Sequence, residues 1–193
     1  MSQRLLHRLL LLSTLLLMAG CGSEMAPGRE LASFSFTDQD GRSFGTDELQ
    51  GHIWVANFIF TNCETVCPPM TMEMASLQKM AEENSLDIQF VTFTVDPDVD
   101  SPKVLKKYIQ HFTENESNWH LLTGYSQKEI ERFALEQFQT IVQKPKTSNQ
   151  VIHGTNFYLI DPNGRLLKEY NFADDSYQED LLKDMERLTR LDS

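Results

Sequence analysis

Cysteine is scarce in this 193-residue chain: Cys21, Cys63 and Cys67 are the whole supply. Three cysteines cannot make the multiple-bridge framework that holds small secreted domains together. Long apolar runs are also missing, because the longest, Leu9 to Leu17, falls short of a membrane span. No internal repeat appears, which excludes a solenoid. Positive charge is in short supply as well, with 17 Lys and Arg against 28 Asp and Glu and a formal net charge of -11. Nucleic acid is therefore not expected as a partner, and anionic lipid headgroups exert no electrostatic pull on such a chain. With 40% hydrophobic residues over this length, one well-packed domain is the expectation.

The first twenty residues contain no Asp or Glu; Arg4 and Arg8 precede the apolar run, which ends in Met18-Ala19-Gly20-Cys21. This is a targeting segment, and small residues before a cysteine resemble the lipobox of bacterial lipoproteins. Residues 1–20 read as a signal peptide, with Cys21 as the lipid-bearing first residue of the mature chain. Its loss removes two positive charges and no negative ones, so the net charge moves from -11 to -13. Attachment then rests on the N-terminal lipid, the alternative being an uncleaved N-terminal anchor, and either way the domain faces the outside of the plasma membrane. Residues 21–32 are small and polar with Gly and Pro, as in a tether, and 33–193 form the domain.

Phe34 and Phe36 alternate with polar residues ahead of an Asp40-Gly41 turn and Phe44, which predicts an N-terminal hairpin. Residues 53–60 (IWVANFIF) and Ile88 to Val95 read as strands buried on both faces. Met70, Met74, Leu77 and Ala81 fall at helical spacing. Ser101-Pro102 opens a helix with Leu105, Ile109 and Phe112 on one face, and another is expected from Gln127 to Phe138. NFYLI (156–160), a DPNG turn and Leu166 to Tyr170 form a second hairpin, followed by a helix with Tyr177, Leu181, Met185 and Leu188 on one stripe. The order predicts an α/β fold with a mixed central sheet flanked by helices. A cysteine pair just after the first buried strand makes it the thioredoxin-like arrangement.

With Cys21 set aside, Cys63 and Cys67 remain as an isolated pair, either a small disulfide, a redox dithiol or a metal site. A purely structural bridge over so short a loop would constrain the unfolded chain little. Pro68 and Pro69 suit the first turn of a helix, placing Cys67 near its N-terminus, where a thiolate is favoured. The segments FIFTNCETVCPPMT (58–71), TVDPDVDSP (94–102) and VIHGTNFYLIDPNG (151–164) match in type, order and spacing the signatures of the Sco/SenC family. On them the chain is identified as a member, most similar to the versions of Gram-positive bacteria. The resemblance implies one copper ion per chain, Cu(I) or Cu(II), on Cys63, Cys67 and His153, with Cys63 and Cys67 also able to form a disulfide. Two thiolates and an imidazole are soft-to-borderline donors that suit copper, whereas a structural zinc site normally supplies four ligands. It further implies a role in assembling the CuA centre of cytochrome c oxidase, by copper delivery to subunit II or by reduction of that subunit's cysteines. Other copper carriers or thiol reductants are further partners on this reading.

The rival class is an enzyme, a thiol-disulfide reductase or thiol peroxidase using Cys63 and Cys67 as a redox dithiol, and a copper or redox sensor is a third. Asn62 stands where thioredoxins usually have Trp, the spacing is CxxxC, and Thr155 takes the usual place of a cis-proline. These departures point away from a general oxidoreductase. No arginine lies between Arg42 and Arg132, against a peroxidase. Asp96, Asp98 and Asp100 imitate the start of a calcium loop, but Ser101 replaces its glycine and Lys107 its bidentate glutamate, so calcium is rejected. Asp96 is expected either to hydrogen-bond near the site or to a partner protein, or to serve in a helix cap or turn. Met70, Met72 and Met74 could be soft copper donors, although spacing puts Met70 and Met74 on the core face. His52, His111 and His120 read as ordinary surface or core residues.

Overall fold

The computed structural model describes residues 28–192; Cys21, the expected signal peptide and most of the expected tether lie outside the described residues. A six-stranded sheet runs in the order β1-β10-β9-β4-β5-β6. Its strands are β1 (Arg29–Glu30), β4 (Ile53–Ile59), β5 (Ile88–Thr94), β6 (Trp119–Leu122), β9 (Asn156–Ile160) and β10 (Arg165–Asn171). β4, β5 and β6 are parallel, while β9 and β10 run antiparallel to their neighbours. This is the mixed sheet of a thioredoxin-like fold.

β4 is central because it can be buried on both faces: all seven of its residues are shielded from water. On one face α2 (Cys67–Glu83), α3 (Pro102–Ile109) and α5 (Tyr177–Asp192) pack over Val55, Phe90, Leu121, Phe157 and Leu159. The other face carries α4 (Gln127–Phe138) and the expected hairpin, β2 (Ser35–Thr37) with β3 (Ser43–Gly45), which leads into the short α1 (Thr46–Leu49). Aromatic rings fill this second layer. Phe58 stacks on Phe93 at 5.3 Å and meets Phe138 edge-on at 5.1 Å. The start of α4 is fixed by reciprocal hydrogen bonds: Ser126 Oγ accepts from the Glu129 N–H, and Glu129 Oε2 accepts from the Ser126 N–H.

Four features depart from the sequence reading. β6 is an additional strand, and its outer edge is covered by a side chain. Gln39 donates to the Trp119 carbonyl and accepts from the Leu121 N–H, both at 2.8 Å, as a neighbouring peptide would. The chain already pairs at Arg29–Glu30, inside the stretch expected as tether. α3 stops at Ile109, so Phe112 lies beyond the helix, in contact with Tyr108 at 4.9 Å. Two very short strands, β7 (Val142–Gln143) and β8 (Ile152–His153), form a separate ribbon. Gln139, at φ 52°, ends α4 and turns the chain towards it.

Candidate metal centre

The cysteine loop leaves β4 at Ile59 and enters α2 at Cys67. The residue before the helix is Val66, which has no side chain to cap it, and Pro68 and Pro69 have no N–H to offer. The first turn therefore has few backbone donors. The Met70 N–H goes to the Val66 carbonyl, and the Cys67 N–H points at Cys63 Sγ, 3.4 Å away. The double proline thus leaves one donor at the helix end, and it serves a sulfur.

That sulfur belongs to Cys63 rather than Cys67, which corrects where thiolate character was expected. Cys67 is the first residue of the helix, but its side chain is wholly buried, and burial pushes its thiol well up, with the neighbouring Cys63 adding to the effect. Burial also opposes ionisation of Cys63. Hydrogen bonds from Cys67 and Thr65 outweigh it and bring Cys63 below the ordinary thiol value. Being first in a helix places a residue's own N–H at the positive end; the sulfur that benefits is the one this N–H reaches.

β8 supplies the third residue. His153 Nε2 lies 3.3 Å from Cys67 Sγ, and its Nδ1 is 2.8 Å from the Gly154 carbonyl. A carbonyl only accepts, so the ring proton sits on Nδ1 and the Nε2 lone pair faces the sulfur. Burial holds the imidazole below its ordinary value, against the pull of the Gly154 carbonyl, and so favours the neutral form a metal needs. Phe60 closes the edge of the ring at 5.8 Å.

Cys63, Cys67 and His153 are thus brought to one place, but not drawn around one point. Cys67 and His153 touch, and Cys63 joins through the Cys67 N–H. Among the described residues no three His, Cys, Asp or Glu side chains stand close enough to close on a metal as they are. The donor set nevertheless fits copper: two soft sulfurs and one imidazole whose free nitrogen is turned inward by a backbone carbonyl.

The other candidates fall elsewhere. Met70 and Met74 are fully buried in the core under α2, and Met72 is 63% exposed. His52 is 3.6 Å from Asp87, His111 is exposed, and His120 stacks on Phe44 at 3.7 Å with Asp38 3.8 Å from its Nδ1. Thr155 follows no cis peptide, since the described residues contain none. Asp96 takes the turn role, and none of Cys63, Cys67 and His153 is among its hydrogen-bond partners. Its carbonyl closes the turn onto the Val99 and Asp100 N–H groups, and its carboxylate pairs with Lys144 Nζ at 2.5 Å.

Sequence reasoning missed Asp100, which it weighed only as part of a calcium loop. Its buried carboxylate accepts from the Thr61 N–H at 3.1 Å, the Thr61 hydroxyl at 2.5 Å and the Thr94 hydroxyl, tying the start of the cysteine loop to the end of β5. Three hydroxyl or amide donors around one aspartate leave no mark in local sequence. Thr71 and Tyr108 were missed for the same reason. Thr71 Oγ1 donates to the Cys67 carbonyl at 2.8 Å, so its contact with the Tyr108 hydroxyl, also 2.8 Å, is donated by the phenol.

A mixed sheet, a cysteine pair at the mouth of a helix and a histidine brought in ahead of an antiparallel strand define a thioredoxin-like domain with a thiol–imidazole site. The family model described as SCO1/SenC matches residues 23–190. The chain belongs to the SCO1/SenC family. It is 56% identical to a SCO1/SenC family lipoprotein from Bacillus anthracis, with a TM-score of 0.81 over 83% of this chain and 95% of that one. It is 44% identical to BsSco, described as a member of the Sco family of cytochrome c oxidase assembly proteins with a disulfide switch; there the TM-score is 0.77 over 85% and 95% of the two chains. Arabidopsis thaliana ScoI, solved with copper bound, is 26% identical, with a TM-score of 0.70 over 84% of this chain and 99% of that one.

Proposed function

We propose that this chain binds one copper ion, as Cu(I) or Cu(II), through Cys63, Cys67 and His153, and serves assembly of the CuA centre of cytochrome c oxidase. It works from the extracytoplasmic face of the plasma membrane, held there by lipid on Cys21, and its partner is oxidase subunit II. The observation that carries the reading is the 3.3 Å approach of His153 Nε2 to Cys67 Sγ, with Nδ1 committed to the Gly154 carbonyl. An imidazole so oriented offers its lone pair to the place where the sulfurs gather. The copper-bound relative, the relative described as an oxidase assembly protein and the relative described as a lipoprotein support the three parts of the proposal.

Copper delivery and reduction of subunit II cysteines use the same pair differently. In delivery, an incoming thiolate displaces one ligand from a three-coordinate site. In reduction, the more acidic and less deeply buried Cys63 attacks a partner disulfide and Cys67 resolves the mixed disulfide. The division of roles between the two cysteines supports this second mode beside the first.

Copper titration of the fully reduced and the Cys63–Cys67 disulfide forms tests the site. The reduced protein should take up one copper and the oxidised protein none, because a disulfide sulfur is no longer a thiolate donor. Equal uptake by both forms would place the metal elsewhere.

A further inference from the structure

The ligands proposed above stand on separate supports. Cys63 and Cys67 lie on the loop from β4 into α2, whereas His153 rides on a ribbon of two residues per strand, β7 with β8, outside the main sheet. A two-stranded ribbon this short does not hold itself in water. Something must fasten it.

Beside the apolar packing of Val142 and Val151 and an exposed hydrogen bond from Gln150 to the Asn62 carbonyl at 3.5 Å, a run of buried and part-buried polar contacts joins the two supports. Lys144, the residue after β7, places Nζ 2.5 Å from Asp96 Oδ1. The Asp96 N–H donates to Thr94 Oγ1 at 3.1 Å, the Thr94 hydroxyl donates to Asp100, and Asp100 accepts both the N–H and the hydroxyl of Thr61, two residues before Cys63. The Lys144 N–H is also held, by Glu131 Oε1 on α4 at 3.1 Å. The ion pair at the head of this run is not an ordinary surface pair, which would be worth little. The Asp96 side chain is 3% exposed and that of Lys144 23%, so screening is weak and an unpartnered Asp96 would be costly. Val142 pairs directly with His153 across the ribbon, so fixing the residue two beyond Val142 fixes the histidine's strand.

We propose that Lys144 is a positioning residue for the metal site: through Asp96 it locks the β7–β8 ribbon to the β5 turn and so keeps His153 against Cys67. The consequence for copper rests on the reading of His153 as a ligand; the lock itself does not. Asp96 and Asp100 then act as a bracket, one end gripping the histidine ribbon and the other the start of the cysteine loop.

The test compares the full-length protein with Lys144→Met, which keeps the aliphatic stem, and with Lys144→Arg, which keeps the charge. Lys144→Met/Asp96→Asn removes the pair without leaving a buried charge unpartnered. Two quantities are read: amide hydrogen exchange at 142–143 and 152–153 in the copper-free protein, and Cu(II) affinity. Lys144→Met and the double variant should exchange faster at the ribbon while the amides of β4 and β5 stay protected. Cu(II) should bind about 10–100-fold more weakly, as when an outer partner of a metal ligand is lost. Lys144→Arg should restore both. Unchanged ribbon exchange in Lys144→Met and in the double variant would overturn the lock, whatever copper does. Faster ribbon exchange with wild-type Cu(II) affinity would overturn the link to the metal. His153→Ala run alongside separates that outcome from a histidine that is no ligand, since only in the second case does His153→Ala also bind Cu(II) like wild type.

Discussion

Replacing Gly154 with alanine adds one methyl group where the site has no room for it. A Cβ at this position would lie 2.1 Å from Thr140 Oγ1 and 3.4 Å from Thr140 Cβ. Gly154 is not among the residues with positive φ, so alanine meets no backbone penalty and the whole cost is steric. Thr140 is 7% exposed and β-branched, which leaves it few rotamers with which to yield. Overpacking of this kind costs about 1–3 kcal/mol. In a chain of this length each kcal/mol lowers the melting temperature by about 2–4 °C. Urea denaturation followed by tryptophan fluorescence suits the measurement, because Trp54 and Trp119 are both buried. The same backbone shift would turn the imidazole, whose Nδ1–H is held by the Gly154 carbonyl, so Cu(II) binding should weaken together with stability. Thr140→Ala in the same chain removes the clashing oxygen and should recover most of the loss, a coupling that independent sites would not show. A Gly154→Ala protein within about 0.5 kcal/mol of wild type, or no relief from Thr140→Ala, would refute the close packing of the histidine turn on Thr140.

Met70→Leu conserves volume in the core and should cost less than about 1.5 kcal/mol, with copper stoichiometry unchanged; a lost copper equivalent would make the thioether a ligand. His120 supplies a pH dependence. Burial holds its imidazole below the ordinary value of 6.5, outweighing the opposing pull of Asp38 and Asp40. The unfolded chain therefore binds the proton first, and stability present above pH 6.5 is lost as the pH falls through and below that value. Urea midpoints of the copper-free protein should fall between pH 7.5 and 5.5, on the order of this titration range, and fall less in His120→Gln. Equal slopes for the two proteins would show that His120 is not the cause.

The elements legible in the sequence were those whose signals are local. β4 announces itself as an apolar run interrupted only by Asn57, α4 by Ile130, Ala134 and Phe138 at helical spacing, and the last hairpin by DPNG. There Asp161 Oδ1 accepts from the Asn163 and Arg165 N–H groups, and Gly164 adopts φ +75°. β6 escaped because WHLL has the length of a single helical turn and its edge partner, Gln39, lies 80 residues earlier. β7 and β8 have no period to read, being two residues each. The site divided in the same way. Cys63, Cys67 and His153 stood out by residue type and order. The unequal roles of the cysteines depend on which sulfur one N–H reaches, and Asp100 and Lys144 act across 39 and 48 residues of chain. Contacts at that separation are made by the fold and leave no local pattern.

The central claim is that His153 completes a copper site with the two sulfurs. Its most direct test is a Cu(II) titration of the reduced wild type and of His153→Ala, following the sulfur-to-copper charge-transfer absorption. Wild type should saturate at one Cu(II) with a strong band. The variant keeps two sulfurs that suit Cu(I) but loses the nitrogen that suits Cu(II), so its band and its Cu(II) affinity should fall sharply while Cu(I) binding falls less. A His153→Ala protein that binds Cu(II) with the wild-type band and affinity would contradict the account.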